Sequence, residues 1–408
     1  MTIAFETLQR TLSSADTASL DKPSAKIPRR EERLSSIDLL RGLVMIVMAL
    51  DHTRDFFAAG GFNPRDVADP ALFLTRWITH FCAPTFIFLA GISAFLYGAQ
   101  GRTVGEVSRF LFTRGAWLVL LEFTVVRFGW SFNVHFNHFL AGVIFAIGAS
   151  MVVLAALVHL PRWAIAAVGL VMIGGHNMLD GVKAAQFGAA APLWTILHQP
   201  GHLDIAPGVD MTVLYTLIPW IGVLAVGYAL GPVFLREPSR RVRELFLLGA
   251  AVTAGFVLLR ASNLYGDPSP WTVQDNVLST VLSFINCEKY PPSLLYLAMT
   301  LGPALLLLAA IEGLRGPVAQ WIMTYGRVPL FYYVAHIFLL HALALVYAWI
   351  LVGDITTLIG SPHKPAGYGL GLLSIYGVWL TVVVTLYPAC RWFAGIKRRR
   401  SEWWWSYL

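Results

Sequence analysis

The sequence predicts an all-α, polytopic integral membrane protein with about ten transmembrane helices. Three observations predict it. Of 408 residues, 57% are hydrophobic and only 13% charged, whereas a soluble domain carries about 25% charge. Apolar segments long enough to span recur at 36–58, 72–98, 106–128, 138–159, 162–180, 211–235, 243–262, 291–312, 328–352 and 369–394. The connections between them alternate in kind, one set rich in arginine and the other in aromatic residues, His, Asn and Pro. With no water at membrane depth, a spanning backbone must satisfy its own hydrogen bonds, so these segments fold as helices.

Residues 1–33 are polar, charge-mixed and without an apolar h-region, so they read as a cytoplasmic tail rather than a cleavable signal. Residues 34–395 form the transmembrane domain, and 396–408 a second tail combining Lys397 to Arg400 with Trp403 to Trp405. The basic connections hold Arg102 and Arg109, Arg162, Arg236 to Arg243, and Arg315 and Arg327. An even number of spans and this arginine bias put both termini in the cytoplasm and the chain in the cell's inner membrane. The net charge of +7 therefore reports topology and does not imply a nucleic-acid partner. Cys82, Cys287 and Cys390 lie far apart, and neither a disulfide framework nor a metal-ligand spacing is suggested.

The first span organises the rest. It is uncharged from Gly42 to Leu50, yet Asp38 and Arg41 precede that run and Asp51, His52 and Arg54 close it. At 100° per residue, Asp38, Arg41 and His52 share one stripe, with about 16 Å of rise from Arg41 to His52. Ionisable groups in a span are costly unless they face a wet cavity or one another, which makes the stripe a candidate site. The alternative is that they mark the helix ends and snorkel to the two interfaces. Asp51 lies 100° from His52, so its expected partner is Arg54, three residues on.

In the second span, Arg76, His80 and Pro84 are spaced by four and stack on one face. Proline at 84 clashes with the carbonyl of residue 80, which predicts a kink beside His80. The third span buries Glu122 and Arg127, 140° apart, so each needs a partner elsewhere. In the ninth, Tyr332 and His336 share a face, and His341 points another way. The aromatic loops around His138 and around Lys289 and Tyr290 can wall a polar cavity for a hydroxyl-rich ligand, or serve only as an aromatic belt. Residues 271–286 suit a short amphipathic or re-entrant helix. No GxxxxGK[ST], GxSxG or HExxH motif is present.

The pattern Arg33–x4–Asp38–x2–Arg41–Gly42–x9–His52 resembles the first helix of the acyltransferase-3 family. The stretches 71–91, 287–303, 326–341 and 390–408 are similar to bacterial relatives of heparan-α-glucosaminide N-acetyltransferase. The resemblance implies a membrane acyltransferase that takes acyl-CoA, with acetyl-CoA the expected donor, from the cytoplasm and acylates a carbohydrate-like acceptor on the far side. The lysosomal member of that family carries its proposed catalytic His in the loop after the first helix. Here the loop from Thr53 to Pro70 has none, and the helix position is His52.

On this reading His52 is the general base, since an unperturbed imidazole titrates near pH 6.5, about where a base for thioester chemistry is needed. Asp51 and His80 complete the catalytic set. Asp38, Arg41 and Arg76 are assigned to acyl-CoA, with Arg41 meeting its phosphates. Arg54, Glu122, Arg127, His138, Lys289, Tyr290 and His336 are assigned to the acceptor. No permanently bound cofactor or metal is expected, and partners are the bilayer, acyl-CoA, the acceptor and, in a homodimer, a second copy. The same buried charges also suit a transporter of a polar metabolite, or a scaffold held by structural ion pairs.

Overall fold

A computed structural model of the chain describes residues 35–60, 63, 65–360 and 364–400. The expected tail 1–33, with Arg33, and the Trp403–Trp405 run lie outside the described residues. The described chain is mostly helical. It opens with α1 (Ser35–Phe57), α2 (Pro70–Thr79), α3 (Cys82–Gly98) and α4 (Val104–Leu121). A π-helical turn (Glu122–Val126) leads into α5 (Arg127–Ser131), then β1 (His138–Ala141), α6 (Val143–Leu157) and α7 (Arg162–Gly175). Two 3-10 segments, His176–Leu179 and Ala184–Ala190, precede α8 (Ala191–Leu197), β2 (Gly201–Ala206) and β3 (Val209–Val213). The remainder is α9 (Leu217–Leu230), α10 (Pro238–Ser262), α11 (Val277–Ile285), α12 (Leu294–Ala310), α13 (Pro317–Arg327), α14 (Pro329–Val352) and α15 (Leu372–Arg399).

Local chemistry sets many of these boundaries. Asp69 caps α2 by accepting from the Leu72 amide at 3.1 Å, followed by proline at the first helical position. Thr103 and Glu106 close a reciprocal capping box on α4. Ser293 caps α12 through the Tyr296 amide at 3.0 Å. The kink expected from Pro84 is present: the helix breaks between Thr79 and Cys82, at the residue whose carbonyl the proline ring would meet. The short helix expected within 271–286 is α11.

Five helical stretches are long and apolar enough to cross a membrane: Pro70–Gly98, Leu217–Leu235, Pro238–Ser262, Pro329–Val352 and Leu372–Arg399. A sixth is added if Arg162–Leu179 and Ala184–Leu197, which meet at 113°, count as one broken span. Each of the ten predicted segments contains a helix, but α6 and α12 are shorter, and α1 and α4 carry too many charges to qualify.

Close helix contacts run through paired glycines. A Cβ on Gly42 would lie 2.0 Å from the Ile322 carbonyl oxygen of α13, and one on Gly326 1.9 Å from that of Asp38. Gly115 with Gly148 and Gly169 with Gly222 join α4 to α6 and α7 to α9 in the same way. Such backbone approach suits helices that associate without a hydrophobic driving force.

Three features depart from the expected organisation. Loop residues form a three-stranded sheet in the order β1-β3-β2, with β1 parallel and β2 antiparallel to β3, and His138 opposite Asp210. The segment 317–327, expected as a connection, is the helix α13 packed on α1. The last helix also runs through Lys397 and Arg398 to Arg399, beyond the expected end of the membrane domain at 395.

The aromatic loops gather at one end of the bundle. Ala58 bridges Leu370, the Gly360 amide donates to the Ser131 carbonyl, Arg65 pairs with Glu288 at 3.0 Å, and the Leu294 amide donates to Asn177. Arg260, 1% exposed, holds the 263–293 loop there by donating to the carbonyls of Ser269, Phe284 and Asn286.

Candidate functional site

His52, near the C-terminal end of α1, meets His336 of α14 at this end of the bundle. Nδ1 of His52 lies 2.7 Å from Nε2 of His336, and Nδ1 of His336 lies 2.8 Å from the Tyr332 carbonyl oxygen. The chain of bonds fixes the protons. A carbonyl only accepts, so His336 carries its proton on Nδ1. In the neutral ring Nε2 then accepts, so His52 donates from Nδ1 and keeps the lone pair on Nε2. His336 is fully buried, whereas His52 is partly exposed. Trp130 meets the His52 ring edge-on at 4.9 Å and Tyr333 at 5.9 Å. The arrangement is an imidazole oriented by His336 and flanked by Trp130 and Tyr333.

Asp51, one residue earlier, takes no part in this pair. Its carboxylate is held by Arg54 at 2.6 Å, by the Thr79 hydroxyl at 3.0 Å and by Lys289 at 3.8 Å. The expected Asp51–Arg54 pairing is present, within an ion cluster that also holds Lys289. Arg54 also bonds Asp55 at 3.1 Å. Lys289 is buried against the Tyr290 ring. Burial disfavours its ammonium, but Tyr290 and the Asp51 carboxylate outweigh that and raise its pKa above the ordinary lysine value. Arg76 is partly exposed and forms no ion pair among the described residues. His80 is 2% exposed at the helix break, stacks edge-on against Tyr296, and has no hydrogen bond to either ring nitrogen.

The remaining candidates are placed elsewhere. Arg41 at the opposite end of α1 donates to Asp38 at 3.2 Å, Ser93 at 3.0 Å and the Gly326 carbonyl at 3.3 Å. It ties α1 to α3 and α13, with three of its five N–H donors engaged. Between Arg41 and His52, Met45, Met48 and Ala49 are buried, so the stripe is polar at its ends and packed in its middle. A wet cavity running the length of the stripe would be interrupted there.

The Glu122 carboxyl group sits at the N-terminus of α6 and accepts from the Phe145 amide at 3.1 Å. The free amides of that helix end thus supply a partner for the buried group. Arg127 donates to the carbonyls of His138 and Asn133 and lies 4.4 Å from the Phe136 ring centroid, so it shapes the aromatic loop. His138 pairs with Asp210 on the sheet surface. His341 bonds the Gly129 and Leu358 carbonyls and points away from His336, as its helical angle predicted.

Sequence reasoning placed His336 against substrate and missed its bond to His52. Both lie in apolar helices far apart in sequence, and a lone His on such a helix gives no sign of its partner. Trp130 was also missed, since nothing separates it from other belt aromatics.

A family model described as Heparan-alpha-glucosaminide N-acetyltransferase, catalytic, matches residues 33–260. That stretch includes α1, the helix break at His80, Glu122 and the sheet, and it stops short of Lys289 and His336. No curated protein matches the chain.

Proposed function

Because the chain belongs to the heparan-α-glucosaminide N-acetyltransferase catalytic family, we propose that it is a multi-pass membrane acetyltransferase with His52 as general base. The single observation carrying this reading is the hydrogen-bonded chain from the Tyr332 carbonyl through His336 to Nδ1 of a partly exposed His52, which favours a lone pair on its Nε2. The donor is acetyl-CoA. The acceptor is an amino or hydroxyl group of a sugar-like molecule, lying between His52 and the cationic cluster of Arg54, Arg76 and Lys289.

The transfer balances simply. His52 Nε2 takes the proton as the acceptor nitrogen or oxygen attacks the thioester carbonyl. The tetrahedral intermediate collapses, the C–S bond breaks, and the thiolate leaves and takes up the proton, giving free CoA and the acetylated acceptor. Arg76, with no ion pair of its own, suits binding of an acceptor oxygen. Asp51 keeps Arg54 and Lys289 in place. His336 is a positioning residue, because it is fully buried behind His52.

The topology belonging to this reading has ten passes, the basic connections and both termini in the cytoplasm, and the aromatic loops outside in the inner membrane. Acyl-CoA then approaches from the side of α1 that carries Arg41, and Met45 and Met48 must move for the thioester to reach His52. The experiment uses purified protein in vesicles, labelled acetyl-CoA and glucosamine as probe acceptor. Acceptor-dependent CoA release, equal in amount to acetylated sugar, is expected. Label carried across the vesicle membrane with the thioester intact overturns the proposal in favour of transport.

A further inference from the structure

We propose that His176, Asp180 and His198 form a binding site for one divalent zinc-class ion at the bend between α7 and α8. One ligand atom from each side chain lies within 4.8 Å of the other two. Two imidazoles and one carboxylate are a donor set that Zn²⁺ accepts, with water free to fill the fourth position. Zinc–ligand bonds of about 2.1 Å put neighbouring donors about 3.4 Å apart, so side-chain rotation of about 1 Å closes the set.

A second observation points to a ligand independently. His176 is 1% exposed, and among the described residues a nitrogen of its ring has no hydrogen bond. A buried imidazole nitrogen left without a partner is uncommon. The Pro292 backbone carbonyl serves the other nitrogen, and such a carbonyl is the type of acceptor that orients a metal-bound imidazole. His198, 3% exposed, has Nε2 at 2.8 Å from the His176 carbonyl oxygen and 3.8 Å from Asp180 Oδ1.

The surroundings resemble an orienting shell. Asn177 donates to Asp180 Oδ2 at 3.0 Å and accepts from the Leu294 amide at 2.9 Å. Trp194 stacks on the His198 ring at 5.3 Å. An ion here would pin three segments together: the end of α7, the residue before the sheet, and the start of α12, which follows the Lys289 loop. His176 and Asp180 are four apart, but His198 follows a helix and two turns later, so no short motif announces the set. The bland reading is that His198 serves only as a hydrogen-bond donor to the turn and the cluster stays metal-free. The proposal does not depend on acyl transfer.

The test uses tag-free full-length protein in detergent, stripped with chelator, loaded with Zn²⁺ and desalted before elemental analysis. About one equivalent is expected in the wild type, with at least tenfold less retained by His176→Ala and His198→Gln. Asn177→Ala should weaken retention by about tenfold through the orienting shell. Because His176→Ala could fail to fold, His176→Cys is loaded with Co²⁺. A thiolate-to-cobalt charge-transfer band is expected there and not in His138→Cys. Zinc retention in the wild type no greater than in folded His176→Ala overturns the proposal, and so does a folded His176→Cys without the sulfur band.

Discussion

Replacing His336 by alanine isolates what the relay contributes. The change removes the acceptor 2.7 Å from His52 Nδ1 and leaves the ring free to rotate and to take either tautomer. A net hydrogen bond of this kind is worth about 1 kcal/mol. Each 1.4 kcal/mol of lost transition-state stabilisation is about tenfold in rate. Adding the loss of ring orientation, kcat should fall about 10- to 100-fold. KM for acetyl-CoA should stay within about twofold, since His336 is fully buried and touches no substrate. His336→Gln should recover most of the rate, because its amide can accept from His52 and donate to the Tyr332 carbonyl. The assay is thiol release from acetyl-CoA with glucosamine by purified protein. A folded His336→Ala enzyme within twofold of wild type in kcat, or one altered only in KM, refutes the reasoning.

Other perturbations have equally definite outcomes. Gly42→Leu should lower thermal stability by about 1–3 kcal/mol or prevent assembly, because a Cβ there would lie 2.0 Å from the Ile322 carbonyl oxygen; a thermal melt in detergent checks it. Glu122→Gln should change stability by less than about 1 kcal/mol, because the amide oxygen keeps an acceptor for the Phe145 amide. Glu122→Ala should cost more, since it strands the Phe145 amide, and the two melts should fall in that order. Arg41→Gln should lower the melting temperature while changing KM for acetyl-CoA less than about threefold, because its donors already serve Asp38, Ser93 and Gly326. A large KM effect in stable Arg41→Gln protein would return Arg41 to the acyl-CoA site.

The membrane character and most of the helices were legible because the bilayer leaves so few choices: an apolar run of that length must be helical. Pro84 announced its own kink through a local clash, and the Asp51–Arg54 pair followed from helical spacing. What was hidden depends on contacts between distant segments. The β1–β3 pairing joins His138 to Asp210, 72 residues later, and neither strand alternates strongly enough to stand out from its loop. Glu122 looked in need of a cation, yet backbone amides satisfy it, and no residue pattern signals that. The polar stripe on α1 was correct as helical geometry, but Met45 and Met48 on the same helix find partners that fill its middle. Helical angles show which residues share a face and leave open whether that face is wet.

The most direct measurement is turnover by His52→Gln in purified, reconstituted protein that melts like the wild type. If Nε2 of His52 removes the acceptor proton, acceptor-dependent CoA release should fall by about 100- to 10,000-fold, with acetyl-CoA binding retained. Turnover within a few-fold of the wild type would contradict the account and take His52 out of the chemistry.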